Sequence, residues 1–225
     1  MSGGKIDIIE IFNSIQGEGM FVGTPMTFIR LKNCNLRCEF CDTRPWEKES
    51  SRMTTDEILQ ACCLLSEGLL PHVCITGGEP LLEPLLEDLL WGLRSRGVSE
   101  MHIESNGSDD VWKHGLVEYW PTGSVSITLS PKTPEWSLKR MYDSSLADLV
   151  TDIKILVDEN GPRYPLEQFK DWHGGIYLQP ISDPSLSMIG EFGYLKEQYE
   201  LLKPWLFRFP FCSMSLQIHK LLGIR

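Results

Sequence analysis

The sequence predicts an α/β fold, an incomplete open barrel of the (β/α)6 type with reduced helices. Three observations carry this expectation. Short β-branched apolar runs alternate with longer amphipathic stretches, the order that builds a parallel sheet. Glycine-rich and polar clusters follow the C-terminal ends of successive predicted strands, the edge on which such sheets carry their sites. About six strands fit in the chain, too few for a closed barrel of eight units and ~250 residues.

The elements follow in order. Residues 6–12 read as a strand because Ile6, Ile8 and Ile9 are β-branched, and Gln16-Gly17-Glu18-Gly19 then forms a turn. Residues 27–31 are a second strand, followed directly by a cysteine-rich loop. Thr54 and Glu57 have the spacing of a capping box and open a helix through Ile58, Leu59, Cys62 and Leu65. Residues 72–76 are a strand ending in Gly77-Gly78-Glu79-Pro80. A helix over residues 85–96 is stopped by Gly97. Strands over 101–105, 124–129, 152–157 and 175–178 lead into Asn106-Gly107, Ser130-Pro131-Lys132, the segment after Lys154, and Gln179-Pro180. A helix over 188–202 and a last strand near 207–211 complete the chain. Residues 111–123 match no element. The run 203–214, with Trp205, Phe207, Phe209, Phe211 and Cys212, reads either as a dimer surface or as a core strand.

The chain has 225 residues, 42% hydrophobic and 23% charged, which suits one domain over residues 1–225 with an N-terminal strand and turn extension and a C-terminal tail. The net charge of −10 argues against a nucleic-acid partner, since phosphates are neutralised by basic faces. No apolar run reaches the roughly 18 residues of a membrane span, and Met1-Ser2-Gly3-Gly4-Lys5 is not the start of a signal peptide. Seven cysteines are an odd number for a disulfide framework. A reducing cytoplasm is the expected location. Cys62, Cys63, Cys74 and Cys212 stand apart in apolar surroundings and read as core thiols.

Cys34, Cys38 and Cys41 differ from these: they have the spacing C-x3-C-x2-C. A structural zinc site wants four ligands, and no fourth cysteine or histidine stands at a paired spacing. A 4Fe–4S cluster usually takes four cysteines. Held by three, it keeps one iron open to an outside ligand. A zinc-binding interaction module with a distant fourth ligand is the alternative.

This cysteine motif, with Phe40 before its last member and Gly77-Gly78-Glu79-Pro80 after the next predicted strand, resembles the radical S-adenosylmethionine superfamily. A closer resemblance, to the 7-carboxy-7-deazaguanine synthase family, covers nearly the whole chain. Its pieces are residues 12–19, 28–31, 41–43, 75–80, 104–107, 130–132, 179–182 and the tail 215–220, in that family's order.

The resemblance implies a carbon–nitrogen lyase that converts 6-carboxy-5,6,7,8-tetrahydropterin to 7-carboxy-7-deazaguanine with loss of ammonia, on the way to queuosine and related 7-deazapurines. It implies a 4Fe–4S cluster on Cys34, Cys38 and Cys41, S-adenosylmethionine on the open iron, and Mg2+ on Thr43. Cofactor contacts fall on Phe40, Cys41, Asp42, Gly78, Glu79, Glu104, Ser130, Pro131, Lys132, Gln179, Pro180, Ile181 and Ser182. Substrate contacts fall on Ile15, Gln16, Gly17, Glu18, Arg30, Thr76, Gln217, His219 and Arg225. No side chain is given a catalytic role beyond the cofactor's. Expected partners are the pterin, an electron donor such as a flavodoxin or ferredoxin, and a second copy in a homodimer, with no membrane or nucleic acid.

The residue types suit such a ligand. Gln16 offers an amide donor and acceptor to a pterin edge, Arg30 can hold a carboxylate bidentately, and Gly78 exposes backbone beside the cofactor. The tail Leu221-Leu222-Gly223-Ile224 is apolar and is expected to dock by burial. A glycyl-radical activating enzyme of the same superfamily is the rival enzyme, and the tail motif Gln217-x-His219 separates the two. Replacing Cys34, Cys38 or Cys41 by Ala is expected to abolish turnover and assembled cluster, as read by iron per chain. Replacing Cys62, Cys63 or Cys74 should cost only about 1–3 kcal/mol of packing, as read by denaturant unfolding.

Overall fold

The computed structural model describes residues 4–67, 72–108, 123–133, 136–144, 146–181 and 192–224. Its frame is one sheet. Strands β1 (Ile6–Ile15) and β2 (Pro25–Leu31) form an antiparallel hairpin in which Phe12 faces Phe28, their rings stacked at 5.2 Å. From β2 the sheet continues in parallel through β4 (His72–Gly77), β5 (Glu100–Ser105), β6 (Val125–Leu129), β7 (Val150–Asp158), β9 (Gly175–Pro180) and β10 (Cys212–Met214). Strand β3 (Ser51–Met53) lies antiparallel on β1, and β8 (Gly161–Pro162) folds back on β7. The order β10-β9-β7-β6-β5-β4-β2-β1-β3 leaves β3 and β10 as separate edges, so the barrel is open.

Alternation along the strands sorts the side chains. Ile29, Val73, Ile75, Met101, Ile103, Ile127, Leu129, Ile153, Ile155, Ile176 and Leu178 belong to the main hydrophobic core. The residues between them, with side chains on the opposite face of the pleat, include Arg30, Thr76, His102, Glu104, Thr128, Lys154 and Gln179. Strand register lines these up: Arg30 pairs with Thr76, Glu104 with Thr128, and Thr128 with Asp152. One apolar face is thereby covered, and one polar face is turned inwards.

Helices are few and partly short: α1 (Thr55–Leu65), α2 (Leu86–Ser95), α3 (Leu138–Tyr142), α4 (Phe192–Arg208) and α5 (Ile218–Leu221). The capping box of α1 is formed, with Glu57 N–H donating to Thr54 Oγ1 at 3.2 Å and Thr54 N–H donating to Glu57 Oε2 at 2.7 Å. Helices α1 and α2 approach closely because Gly92 carries no side chain; a Cβ there would stand 2.7 Å from Leu59.

The structure differs from the sequence reading at three places. Strands β3, β8 and β10 are too short to show an apolar period. Of the expected strand near 207–211, residues 207–208 end α4 and 209–211 lead out of it through a turn, and the strand is Cys212–Met214. Pro204, an unfavourable helix residue, breaks the helical signal, but Leu202 is buried and Trp205 and Leu206 pack on the core at helical spacing. Phe207 is 77% exposed while Phe209 and Cys212 are buried, so the run is neither wholly surface nor wholly core. Residues 188–191 and 111–122, on which other expectations fall, lie outside the described residues.

Backbone contact between the ends of β2 and β4 sets the rim. Gly78 N–H donates to Leu31 O at 2.8 Å, and Glu79 N–H donates to Asn33 O at 2.7 Å. Gly77 has φ +106, and a Cβ on Gly78 would lie 2.0 Å from Asn33 O. Gly78→Ala should therefore force the strand ends apart and destabilise the chain by about 1–3 kcal/mol. Urea unfolding of the metal-free protein measures this without reference to turnover.

Candidate active site

The polar face encloses a cavity of about 600 Å3, walled by the cysteine loop, the strand ends, the turn after β1 and the C-terminal tail. At its floor stands Lys154, 4% exposed in the middle of β7. Its Nζ lies 2.6 Å from Glu18 Oε2 and 2.7 Å from Glu104 Oε2. Burial alone would raise both carboxyls, but the shared ammonium holds them below their ordinary range, Glu104 at about 2. Burial would likewise lower Lys154, yet its two carboxylates hold it well above the usual lysine value. All three groups are therefore charged at neutral pH. Glu104 Oε1 also meets His102 Nε2 at 3.2 Å, and His102 Nδ1 lies 3.0 Å from Ser126 Oγ.

Gln16 is oriented by the same group. Its Nε2 donates to Glu104 Oε1 at 3.1 Å, and its Oε1 accepts from Glu18 N–H at 3.2 Å. Both ends of the amide are thus engaged within the protein, where the sequence reading had offered them to a ligand. Gly19, with φ +62, lets the turn pass Asp152: a Cβ there would lie 2.8 Å from Asp152 Oδ2.

On the opposite wall Arg30 Nε donates to Glu10 Oε1 at 2.8 Å, and its NH1 donates to Thr43 Oγ1 at 3.4 Å. Lys132 Nζ donates to Ser130 Oγ at 2.7 Å and stands 5.8 Å from the centre of the Phe40 ring. The Arg163 guanidinium lies 4.2 Å from the same ring.

Cys34, Cys38 and Cys41 all border the cavity as free thiols. Backbone N–H groups already point at sulfur, from Leu36 to Cys34 at 3.5 Å and from Arg44 to Cys41 at 3.2 Å. Burial raises the Cys34 and Cys38 thiols, so a metal centre is what would hold them as thiolates. Among the described residues no three His, Cys, Asp or Glu side chains converge on a point suited to one ion. A cubane cluster needs no such point, because each thiolate binds a different iron. The donor set fits a cluster with one open iron better than it fits a zinc ion.

The tail closes the cavity over the N-terminal turn. Ile218 N–H donates to Gly17 O at 3.1 Å, and a Cβ on Gly17 would stand 1.8 Å from His219 Nδ1. Gln217 Nε2 donates to Glu18 Oε1 at 2.5 Å and to Asp42 Oδ2 at 3.0 Å, and Lys220 Nζ lies 2.8 Å from Asp42 Oδ2. Burial lowers the His219 imidazole, which favours its neutral form. Docking by apolar burial is corrected here: Leu222 is 62% and Ile224 44% exposed, and the tail is held by polar contacts.

Comparison with known proteins gives one answer. Residues 28–164 match the Radical SAM superfamily. The 7-carboxy-7-deazaguanine synthase of Rhodopirellula baltica is 44% identical over 215 residues, which are 88% of this chain and 78% of that protein. The enzyme of that name from Haemophilus influenzae is 30% identical over 222 residues, 98% of this chain and 94% of that protein. The chain belongs to the 7-carboxy-7-deazaguanine synthase family. The crystal structure of QueE from Escherichia coli, 24% identical, has the same fold, with a TM-score of 0.61 over 95% of this chain and 94% of that one.

Membership of that family removes the zinc-module and glycyl-radical alternatives, and the family is a radical S-adenosylmethionine one. Most of the residues assigned to ligands by resemblance border the cavity: Ile15, Gln16, Gly17, Glu18, Arg30, Phe40, Asp42, Thr43, Thr76, Gly78, Glu104, Ser130, Lys132, Gln179, Pro180, Ile181, Gln217 and His219. Pro131 and Glu79 do not border it. Glu79 is buried beneath the rim, accepting from Asn106 N–H at 2.6 Å, Ser105 Oγ–H at 2.9 Å and Leu81 N–H at 3.0 Å. It ties β4 to β5 and shapes the cofactor rim from below; burial pushes its carboxyl up to about 7. Ser182 and Arg225 lie outside the described residues. Sequence reasoning missed Lys154 and Trp46 as wall residues, and gave Asn106 and Lys220, which lie in its strand-end and tail motifs, no ligand contact. A lysine between Ile153 and Ile155, in the middle of a strand, was the available signal for the first.

Lys154→Met should leave two buried carboxylates unpaired and destabilise the fold by about 3–5 kcal/mol at neutral pH, as read by urea unfolding. The pH dependence has a defined sign. Glu104 is depressed from 4.5 to about 2, so its contribution is present above 4.5 and is lost as pH falls through about 2. The variant should show a shallower loss of stability over that acid window than the wild type.

Proposed function

We propose that this protein is a 7-carboxy-7-deazaguanine synthase acting on 6-carboxy-5,6,7,8-tetrahydropterin, in the formation of queuosine or a related 7-deazapurine. The observation that carries the reading is a single cavity with the three-cysteine loop on one wall and a carboxylate-binding arginine, a buried amide and the C-terminal tail on the others. The cluster and S-adenosylmethionine, when bound, supply the radical chemistry that begins ring contraction.

The chain's own residues bind and orient. Cys34, Cys38 and Cys41 hold the cluster. Ser130 and Lys132, beside Phe40, form the wall for the cofactor's adenosine, with Gln179, Pro180 and Ile181 at the end of β9. Arg30 is aimed by Glu10 at Thr43, so a substrate carboxylate there meets a guanidinium whose orientation is already fixed. Thr43 would be the side-chain ligand of a Mg2+ ion that helps orient the substrate. Glu18, Thr76 and neutral His219 offer polar contacts to the pterin ring. Lys154, by holding Glu18 and Glu104 ionised, keeps two acceptors ready for N–H groups.

All seven cysteines are free thiols, which suits a reducing cytoplasm. Among the described residues no helix is long and apolar enough to cross a membrane. A homodimer and a flavodoxin or ferredoxin as electron source belong to the same reading.

Anaerobic incubation of reconstituted enzyme with reductant, S-adenosylmethionine and the carboxytetrahydropterin is expected to yield 7-carboxy-7-deazaguanine and one ammonia per turnover. Consumption of S-adenosylmethionine with no change in the pterin's mass would overturn the reading. Thr43→Ala should retain cofactor cleavage, lose Mg2+ stimulation and slow product formation by about tenfold or more. Equal wild-type rates with EDTA and with Mg2+ would remove the metal role.

A further inference from the structure

We propose that Asp42, Gln217 and Lys220 form a clamp that fastens the C-terminal helix to the cysteine loop, so that the substrate-facing tail and the cluster-bearing loop position each other. The proposal deepens the function given above, since it takes the tail to be a wall of the substrate site.

Asp42 directly follows the third cysteine of the motif. Its Oδ2 receives two donors from the tail, Lys220 Nζ at 2.8 Å and Gln217 Nε2 at 3.0 Å. Lys220 Nζ also donates to Gln217 Oε1 at 2.7 Å, which orients the amide so that its N–H groups face Asp42 and Glu18. Glu18 is in turn held by Lys154. A continuous polar path therefore runs from the barrel floor through the N-terminal turn and the tail to the residue beside Cys41.

The tail needs this path. Helix α5 has four residues and buries no side chain. One turn of helix is too short to persist alone, because nucleation costs more than a single turn returns. Its apolar residues give little help, since Leu222 and Ile224 are exposed. The hold comes from Ile218 N–H on Gly17 O, the fit of His219 against Gly17, and the clamp on Asp42. Of these, only the clamp reaches the cysteine loop. By linkage, whatever orders that loop favours the docked tail, and a docked tail favours the ordered loop to the same extent.

Cysteine residues 38 and 41 would be ordered further by an assembled cluster, so hydrogen exchange followed by mass spectrometry, with cluster-loaded and cluster-free protein compared, tests the coupling. Amides of residues 218–222 should exchange more slowly in the loaded wild type than in the cluster-free form. In loaded Lys220→Met and Asp42→Asn, their exchange should rise about two- to fivefold, the range for a partly exposed charged pair, with α1 and α2 unchanged. Lys220→Arg should restore most of the protection. The KM for the pterin should rise by a similar factor in Lys220→Met, with kcat changed less. Wild-type exchange over 218–222 in Lys220→Met, or no difference between loaded and cluster-free wild type, overturns the clamp. Raised exchange with an unchanged KM keeps the clamp and removes the tail from the substrate site.

Discussion

The sharing of one buried ammonium between two carboxylates is the constraint on which the site depends. Lys154 stands in the middle of a strand whose neighbours are Ile153 and Ile155, where an unpaired charge would cost several kcal/mol. Glu104 supplies one partner from the sheet and Glu18 the other from the N-terminal turn. The turn after β1 is therefore tied to β7, although 136 residues separate Glu18 from Lys154. A net negative group of fixed geometry is left at the base of the cavity, ready for charge-assisted hydrogen bonds.

Around this floor the walls divide the work. The strand ends of β4 and β5 are locked beneath the rim by Glu79, and close backbone contact at Gly77 and Gly78 joins β2 to β4. These glycines act first on the protein itself: the space a side chain would occupy at Gly78 is taken by the Asn33 carbonyl. The rim of the cavity is shaped by this packing. The cysteine loop is stabilised by N–H groups directed at sulfur and by the Phe40 ring, which lies near both Lys132 and Arg163. Two cations beside the loop would offset the negative charge of its cysteines when a metal centre holds them as thiolates.

Opening the barrel has a structural consequence. With edge strands β3 and β10 not paired to each other, one side of the cavity is left without strands, and the turn after β1 together with the C-terminal tail fills that side. Both ends of the chain thus meet at the site, His219 against Gly17 and Gln217 against Glu18. The family to which the chain belongs carries out radical chemistry, in which exclusion of water protects reactive species.

Local pattern was enough to read the parallel core, the capping box at Thr54 and Glu57, and the three-cysteine loop, because each depends on neighbours in sequence: alternation within a strand, a reciprocal bond across three residues, ligands spaced along one loop. Resemblance then named the residues of the cavity. Local pattern failed where partners are distant. The short strands β3, β8 and β10 exist because a neighbouring strand offers them hydrogen bonds, and α4 continues through Pro204 because Trp205 and Leu206 find the core. Gln16 looked like a free amide until Glu104 and the Glu18 N–H took both its ends. Lys154, Asn106 and Lys220 gained their places only when strands and tail were brought together. The sequence by itself determined the fold class and the chemistry of the metal loop, since these rest on period and spacing; tertiary structure decided which charges are paired and what closes the cavity, since electrostatic partners in a low-dielectric interior are set by distance in space and not along the chain.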